Sequence, residues 1–192
     1  MKRIPLIPSL IVAAAVAAMI GLGMWQLHRA QWKKDLLGLY QANATLPAVA
    51  FPAVPTPADA RLLFRRATGH CLEPASWTVR AGRNRAGESG WSHVALCRTG
   101  AEGPGMSVDL GWSRDDQPPK AYRGGPVSGV IGSDRKHILL LVADQPASGL
   151  QPSAPPSIAD IPNNHMAYAV QWFLFAATAL VVYVIALQRR LR

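Results

Sequence analysis

Two runs without a charged residue, 6–27 and 166–187, bracket this 192-residue chain and limit what it can become. Each is 22 residues long. As a helix that is about 33 Å, enough for the ~30 Å hydrocarbon core of a bilayer. The first run sits behind Lys2 and Arg3 and carries small residues through 13–18, features it shares with a cleavable signal peptide. It continues past any Ala-x-Ala site to Trp25 and then into an amphipathic pattern, so it reads as an uncleaved anchor. The second run is too long and too apolar for a buried core helix. The expectation is two antiparallel membrane-spanning helices with both termini on one side.

A net charge of +9 would by itself point to nucleic acid. Eight of the 20 basic residues, however, are Lys2, Arg3, Arg29, Lys33, Lys34, Arg189, Arg190 and Arg192, all beside the apolar runs. Residues 35–187 hold the other 12 basic residues and all 11 acids, a net of +1. The basicity belongs to membrane flanks, and no basic stripe with interleaved aromatics remains to grip nucleic acid. No Lys or Arg occurs in 138–165, whereas three arginines follow the second run, which places the C-terminus in the cytoplasm. The expected location is a bacterial inner membrane, with both termini cytoplasmic and the central domain periplasmic. The mitochondrial inner membrane is the less favoured counterpart.

The expected layout is therefore an N-terminal helix with its flanks (1–34), a β-rich extracytoplasmic domain (35–160), and a C-terminal helix with a basic tail (161–192). Residues 31–43 keep helical spacing and continue the first span as a short helix lying at the surface. Four prolines in 47–57 predict an extended linker, and 151–156 a second, polar tether. Between them, candidate strands are 64–72, 77–81, 92–98, 106–113, 127–131 and 138–143. Turns are marked by Gly82 and by 87–90, 99–105, 117–119, 124–126 and 132–134. Short strands at this spacing predict a small antiparallel sheet or barrel, so the class is α+β.

Catalytic signatures are missing from the sequence. It has no phosphate-binding glycine loop, no close His/Cys pairing and no nucleophile elbow, and the expectation is a protein that is not an enzyme. Cys71 and Cys97 both fall in predicted strands. In an oxidising compartment they form a candidate disulfide closing a 27-residue ring, a bridge contributing roughly 3–4 kcal/mol. Two separate buried thiols remain the alternative.

The residues that carry most information stand where the spans leave the membrane. Trp25, His28, Arg29 and Trp32 share one helix face, at i, i+3, i+4 and i+7. Asn163, Asn164 and His165 open the second span, with Tyr168, Trp172 and Phe173 on the face of His165. In antiparallel helices these two sets lie at the same outer interface. One reading is an aromatic belt in contact with lipid, with Asn as helix cap. The other is a ligand site, because histidine is costly near hydrocarbon. A neutral imidazole can ligate haem iron, indoles can pack a porphyrin, and Arg29 can pair with a propionate.

Those same residues resemble a known family. Residues 21–33, Gly-Leu-Gly-Met-Trp-Gln-Leu-His-Arg-Ala-Gln-Trp-Lys, and 161–173, Ile-Pro-Asn-Asn-His-Met-Ala-Tyr-Ala-Val-Gln-Trp-Phe, look like the two motifs of the Surfeit locus protein 1 family. The resemblance implies a two-span assembly factor for haem-copper cytochrome c oxidase, handling haem a for insertion into subunit I. The partners it implies are that subunit, the haem a synthase or other assembly factors, and membrane lipid. The family histidine implicated in haem binding falls on His165, a candidate ligand of the haem iron. Asn164, Tyr168 and Trp172 match the rest of its motif, and Gly23, Trp25 and Gln26 match the family's Gly-x-Trp-Gln. His28 is not carried over from the family; it stands as a candidate second axial ligand on its own position. In the outer domain, Asp109-Leu-Gly-Trp-Ser-Arg keeps only Gly111 and Trp112 of a family segment. The alternative function is a cofactor-free membrane scaffold that holds oxidase subunits or other assembly factors together.

Overall fold

A computed structural model describes residues 5–100, 104–119 and 121–192. Two compact units emerge: Met1–Leu36 with Pro162–Arg192, and Leu37–Ile161. Lys2, Arg3 and residues 101–103 of the expected turn at 99–105 lie outside the described residues.

The first unit is a pair of helices, α1 (Leu6–Thr45, whose last residues belong to the second unit) and α2 (His165–Leu191). α1 is unbroken, so 31–43 continues the apolar run within one 40-residue helix. Pro8 is tolerated because it stands in the first turn, where backbone N–H groups have no intrahelical partner. Both helices are long and apolar enough to cross a membrane. They expose Leu6, Ile7, Leu174, Val181 and Val182, a surface that fits a membrane protein.

Facing each other, the helices bury small residues. Gly23, Ala169 and Ala176 are buried. A Cβ on Gly23 would lie 2.6 Å from Cε1 of Phe173. One stripe of less exposed positions runs on α1 through Ser9, Val12, Val16, Met19, Gly23, Gln26 and Ala30, and on α2 through His165, Ala169, Trp172, Ala176, Ala179 and Tyr183, with Leu27 and Phe173 beside it. Its positions alternate steps of three and four, the 3.5-residue repeat of a helix–helix seam. Close approach through small residues gives van der Waals packing where lipid removes the hydrophobic incentive to associate. A hydrogen bond between the Ser9 and Tyr183 hydroxyls closes one end of the seam.

The second unit is a seven-stranded sheet. Its strands are β1 (Val49–Ala50), β2 (Arg66–Cys71), β3 (Glu73–Arg83), β4 (Ser89–Arg98), β5 (Pro104–Ser113), β6 (Gly125–Asp134) and β7 (Ile138–Ala143). Their order is β1-β2-β6-β7-β5-β4-β3. The sheet is mixed, which corrects the antiparallel expectation: β1 runs parallel to β2 and β5 parallel to β7. The second pairing follows from the β6–β7 hairpin, which inserts β7 between β6 and β5 and so gives it the direction of β5.

β2 and β3 stand second and last in the order yet are joined through Leu72 alone. The sheet must therefore curl until its ends share a corner. There the Leu72 N–H donates to the Arg98 carbonyl at 2.9 Å, and Cys71 and Cys97 form a disulfide. Inside the curl, Met106, Val108, Leu110, Ile131, Leu139 and Leu141 make the apolar core.

Four expected connections are part of the sheet instead. Residues 47–57 contain β1 and the first residue of a 3-10 turn, Pro57–Leu62. The expected turns at 124–126 and 132–134 fall mostly inside β6, and the hairpin bend follows at 135–137. The 151–156 tether is fastened across the sheet. Trp112 and Gln151 exchange two backbone hydrogen bonds, at 2.7 and 2.9 Å, and the Ala154 N–H donates to the Arg83 carbonyl at 2.8 Å.

A β-bulge prepares that seat. Ser92 opposes Trp112 while Val94 opposes Asp109, so two residues of β5 face His93 alone. Gly111 supplies the left-handed backbone, φ +132°, in a space too tight for a Cβ. The bulge turns Trp112, 1% exposed, to the same face as Asp109 and Ser92. Ser153 reaches in from the tether and donates to Asp109 Oδ1 at 2.7 Å. Burial pushes the Asp109 carboxyl above its usual range, against the hydrogen bonds from Ser153 and the Gly111 N–H.

Candidate functional site

His165, the first residue of α2, lies on the seam. Its Nδ1 is 2.8 Å from Oε1 of Gln26 on α1. An amide oxygen can only accept, so Nδ1 carries the proton and donates; in the neutral ring that tautomer leaves the lone pair on Nε2. Asn164 occupies the N-cap position, but its side chain makes no cap hydrogen bond, contrary to the capping role expected of it. Its carbonyl accepts from the Tyr168 N–H at 3.1 Å. The Asn164 side chain is thus exposed beside His165.

On the face of His165, Tyr168 is half exposed and Trp172 half-buried, with the Trp172 ring edge-on to Phe175 at 6.1 Å. Phe173 packs against Gly23. Near His165, a groove of about 410 Å³ opens between the helices, lined by Leu27, Ala30, Gln31 and Lys34 of α1 and by Asn163 and Met166.

The set on α1 is not brought to this place. Trp25, His28, Arg29 and Trp32 do share a face, and the Arg29 guanidinium stacks 4.5 Å over the Trp32 ring. All four are exposed. At ~100° per residue, His28 stands roughly 160° around α1 from Gln26, the seam residue that His165 meets. The residues expected at one depth of the outer interface therefore stand on two different faces, His165 on the seam and the α1 set away from it. The cause is helical phase: Gly23 and Gln26 set the seam, and Trp25 and His28 are displaced from it.

Gln26 is the residue the reading from sequence passed over as a site residue. The signal that marks it is its phase: Gly23, Gln26 and Ala30 follow the three-four spacing of a packed face, and an amide on such a face needs a partner. Among the described residues no group of three or more His, Cys, Asp or Glu side chains could hold a metal ion. A haem iron asks for less, one axial imidazole nitrogen with its lone pair free, and the donor set at His165 fits that requirement.

No curated protein matches the chain. The model of the SURF1 family matches residues 13–177, which takes in most of α1, the whole sheet and the first half of α2.

Proposed function

The chain belongs to the SURF1 family, which is linked to cytochrome oxidase assembly, and from that premise we propose that it carries haem a at His165 and aids its insertion into oxidase subunit I. The location proposed with it is a bacterial inner membrane, both termini cytoplasmic and the sheet domain periplasmic. The observation that supports the reading most is the state of the His165 ring. Its Nδ1 is committed to Gln26, which leaves Nε2 as a ligand nitrogen. Trp172 and Tyr168 supply aromatic surface beside it, and Lys34, on the rim of the groove, is a cation for a propionate. Bound there, the haem would contribute an iron with an open coordination position for an imidazole. The protein's own part is to orient that imidazole and to release the cargo to the recipient subunit or accept it from the haem a synthase.

One observation favours a cofactor-free scaffold instead: the same hydrogen bond ties α1 to α2 and could serve only as a clamp. Absorption spectra of detergent-purified protein, produced with haem a synthesis active, separate the two. The wild type should carry a haem a band, the folded His165→Ala variant should lack it, and His28→Ala should keep it. A colourless wild type that takes up no added haem would select the scaffold.

A further inference from the structure

We propose that Gln26 is a positioning residue for the haem ligand, fixing the His165 tautomer and raising the electron-donating power of its Nε2. The inference rests on the haem reading above and deepens it. An imidazole without a partner exchanges its proton between two nitrogens, and only one tautomer offers Nε2 to a metal. Ligating histidines elsewhere are held by a carboxylate, a carbonyl or water on the second nitrogen, and loss of that partner typically costs about 10–100-fold in affinity. Here the partner is a side-chain amide from the other helix, at 2.8 Å.

Its location makes the choice of residue intelligible. The seam near Gln26 consists of glycine, alanine and apolar side chains, with Gly23 and Ala169 both buried. A carboxylate there would bring a charge into a poorly solvated position, at a cost the neutral amide avoids. With its oxygen turned to the ring, the amide accepts the hydrogen bond from Nδ1–H, the arrangement that goes with the Nδ1–H tautomer. The ring is thus set in the ligating form before any cargo arrives. Because Gln26 and His165 belong to different helices, the ligand is competent when the two helices are packed. A change in helix packing would loosen the grip on cargo, which is the property a carrier needs.

The test uses the full chain in detergent with ¹⁵N-labelled histidine, first without haem and then with ferric haem added. In the cargo-free wild type the His165 nitrogens should report a proton on Nδ1. In Gln26→Leu the preference should relax to a mixture, and haem affinity should fall about 10–100-fold. Gln26→Glu restores an acceptor. It should recover binding while moving the midpoint potential of the bound haem to a more negative value, a shift that a purely structural role would not produce. Equal tautomer populations, affinity and potential in wild type and Gln26→Leu would overturn the inference. A wild type that takes up no haem would overturn the haem reading itself, and the two failures are therefore distinct.

Discussion

The helix pair and the sheet domain solve the same problem with opposite materials. Around α1 and α2 many large apolar residues face outward, and the most buried positions of the seam are small, Gly23, Ala169 and Ala176, joined by the Ser9–Tyr183 and Gln26–His165 hydrogen bonds. In the sheet domain the apolar residues are inside, and Asp109, a buried carboxyl, is satisfied by Ser153 and the Gly111 N–H. The contrast fits a membrane protein whose two units meet different solvents. Where lipid surrounds the fold, close packing and polar contacts hold it; where water does, burial of Met106, Leu139, Leu141 and their neighbours drives it. A perturbation of one mode should therefore leave the other unit standing.

The largest effect should come from the sheet's corner. The Cys71–Cys97 bridge spans 26 positions, a constraint on the unfolded chain of about 3–4 kcal/mol. Cys71→Ser with Cys97→Ser should lower the stability of the sheet domain by that order. Hydrogen exchange read by mass spectrometry should show lost protection in β5 and β7. Peptides from the facing parts of α1 and α2 should keep theirs. Equal loss in both units would erase the distinction drawn above.

A smaller and reciprocal effect is expected at Gly23. Any Cβ there meets the Phe173 ring at 2.6 Å, so Gly23→Leu must displace that ring from the seam and disturb the helix contact. Overpacking of this kind costs about 1–3 kcal/mol. Faster exchange at seam positions of α1 and α2 should appear with unchanged protection of β5 and β7. The His165 resonance should also lose its Nδ1–H signature, since the seam aligns it with Gln26.

How far the sequence foretells this division depends on contrast. The extents of the apolar runs are legible because charges end them, and the strand at 138–143 is legible because Asp134 to His137 break the chain before it. The seam is not. In a run apolar on every side, packed and lipid-facing positions look alike, and Trp25 and His28 draw the eye because they are chemically distinct, not because they face a partner. The parallel pairings escape for another reason: they depend on which strands a hairpin inserts between, which local patterns do not carry. The tether at 151–156 reads as a linker because its prolines forbid a regular strand, yet its remaining N–H groups still reach Trp112 and Arg83. Gly111 and Trp112, the two residues kept from the family segment, form the bulge and the anchor of that tether.

The smallest effect, and the one that most sharpens the comparison, is a response to acid. Burial alone would raise the Asp134 carboxyl, but the Arg80 guanidinium at 2.8 Å, the Lys136 N–H and His137 together hold it at about 2. An unfolded aspartate titrates near 3.9. The folded value is depressed, so the contribution is complete above pH ~4 and is lost as pH falls toward 2. Its size is on the order of 1–2 kcal/mol, limited because Arg80 remains 31% exposed and screened by water. Denaturant titrations of the sheet domain between pH 5 and 2 should show this loss, and Asp134→Asn should flatten it over the same interval. The described seam positions of the helix pair contain no Asp or Glu. Protection of α1 and α2 at those positions should hold across the interval in which the sheet domain weakens, and a parallel acid loss in both would mean that the helices depend on the sheet for their packing.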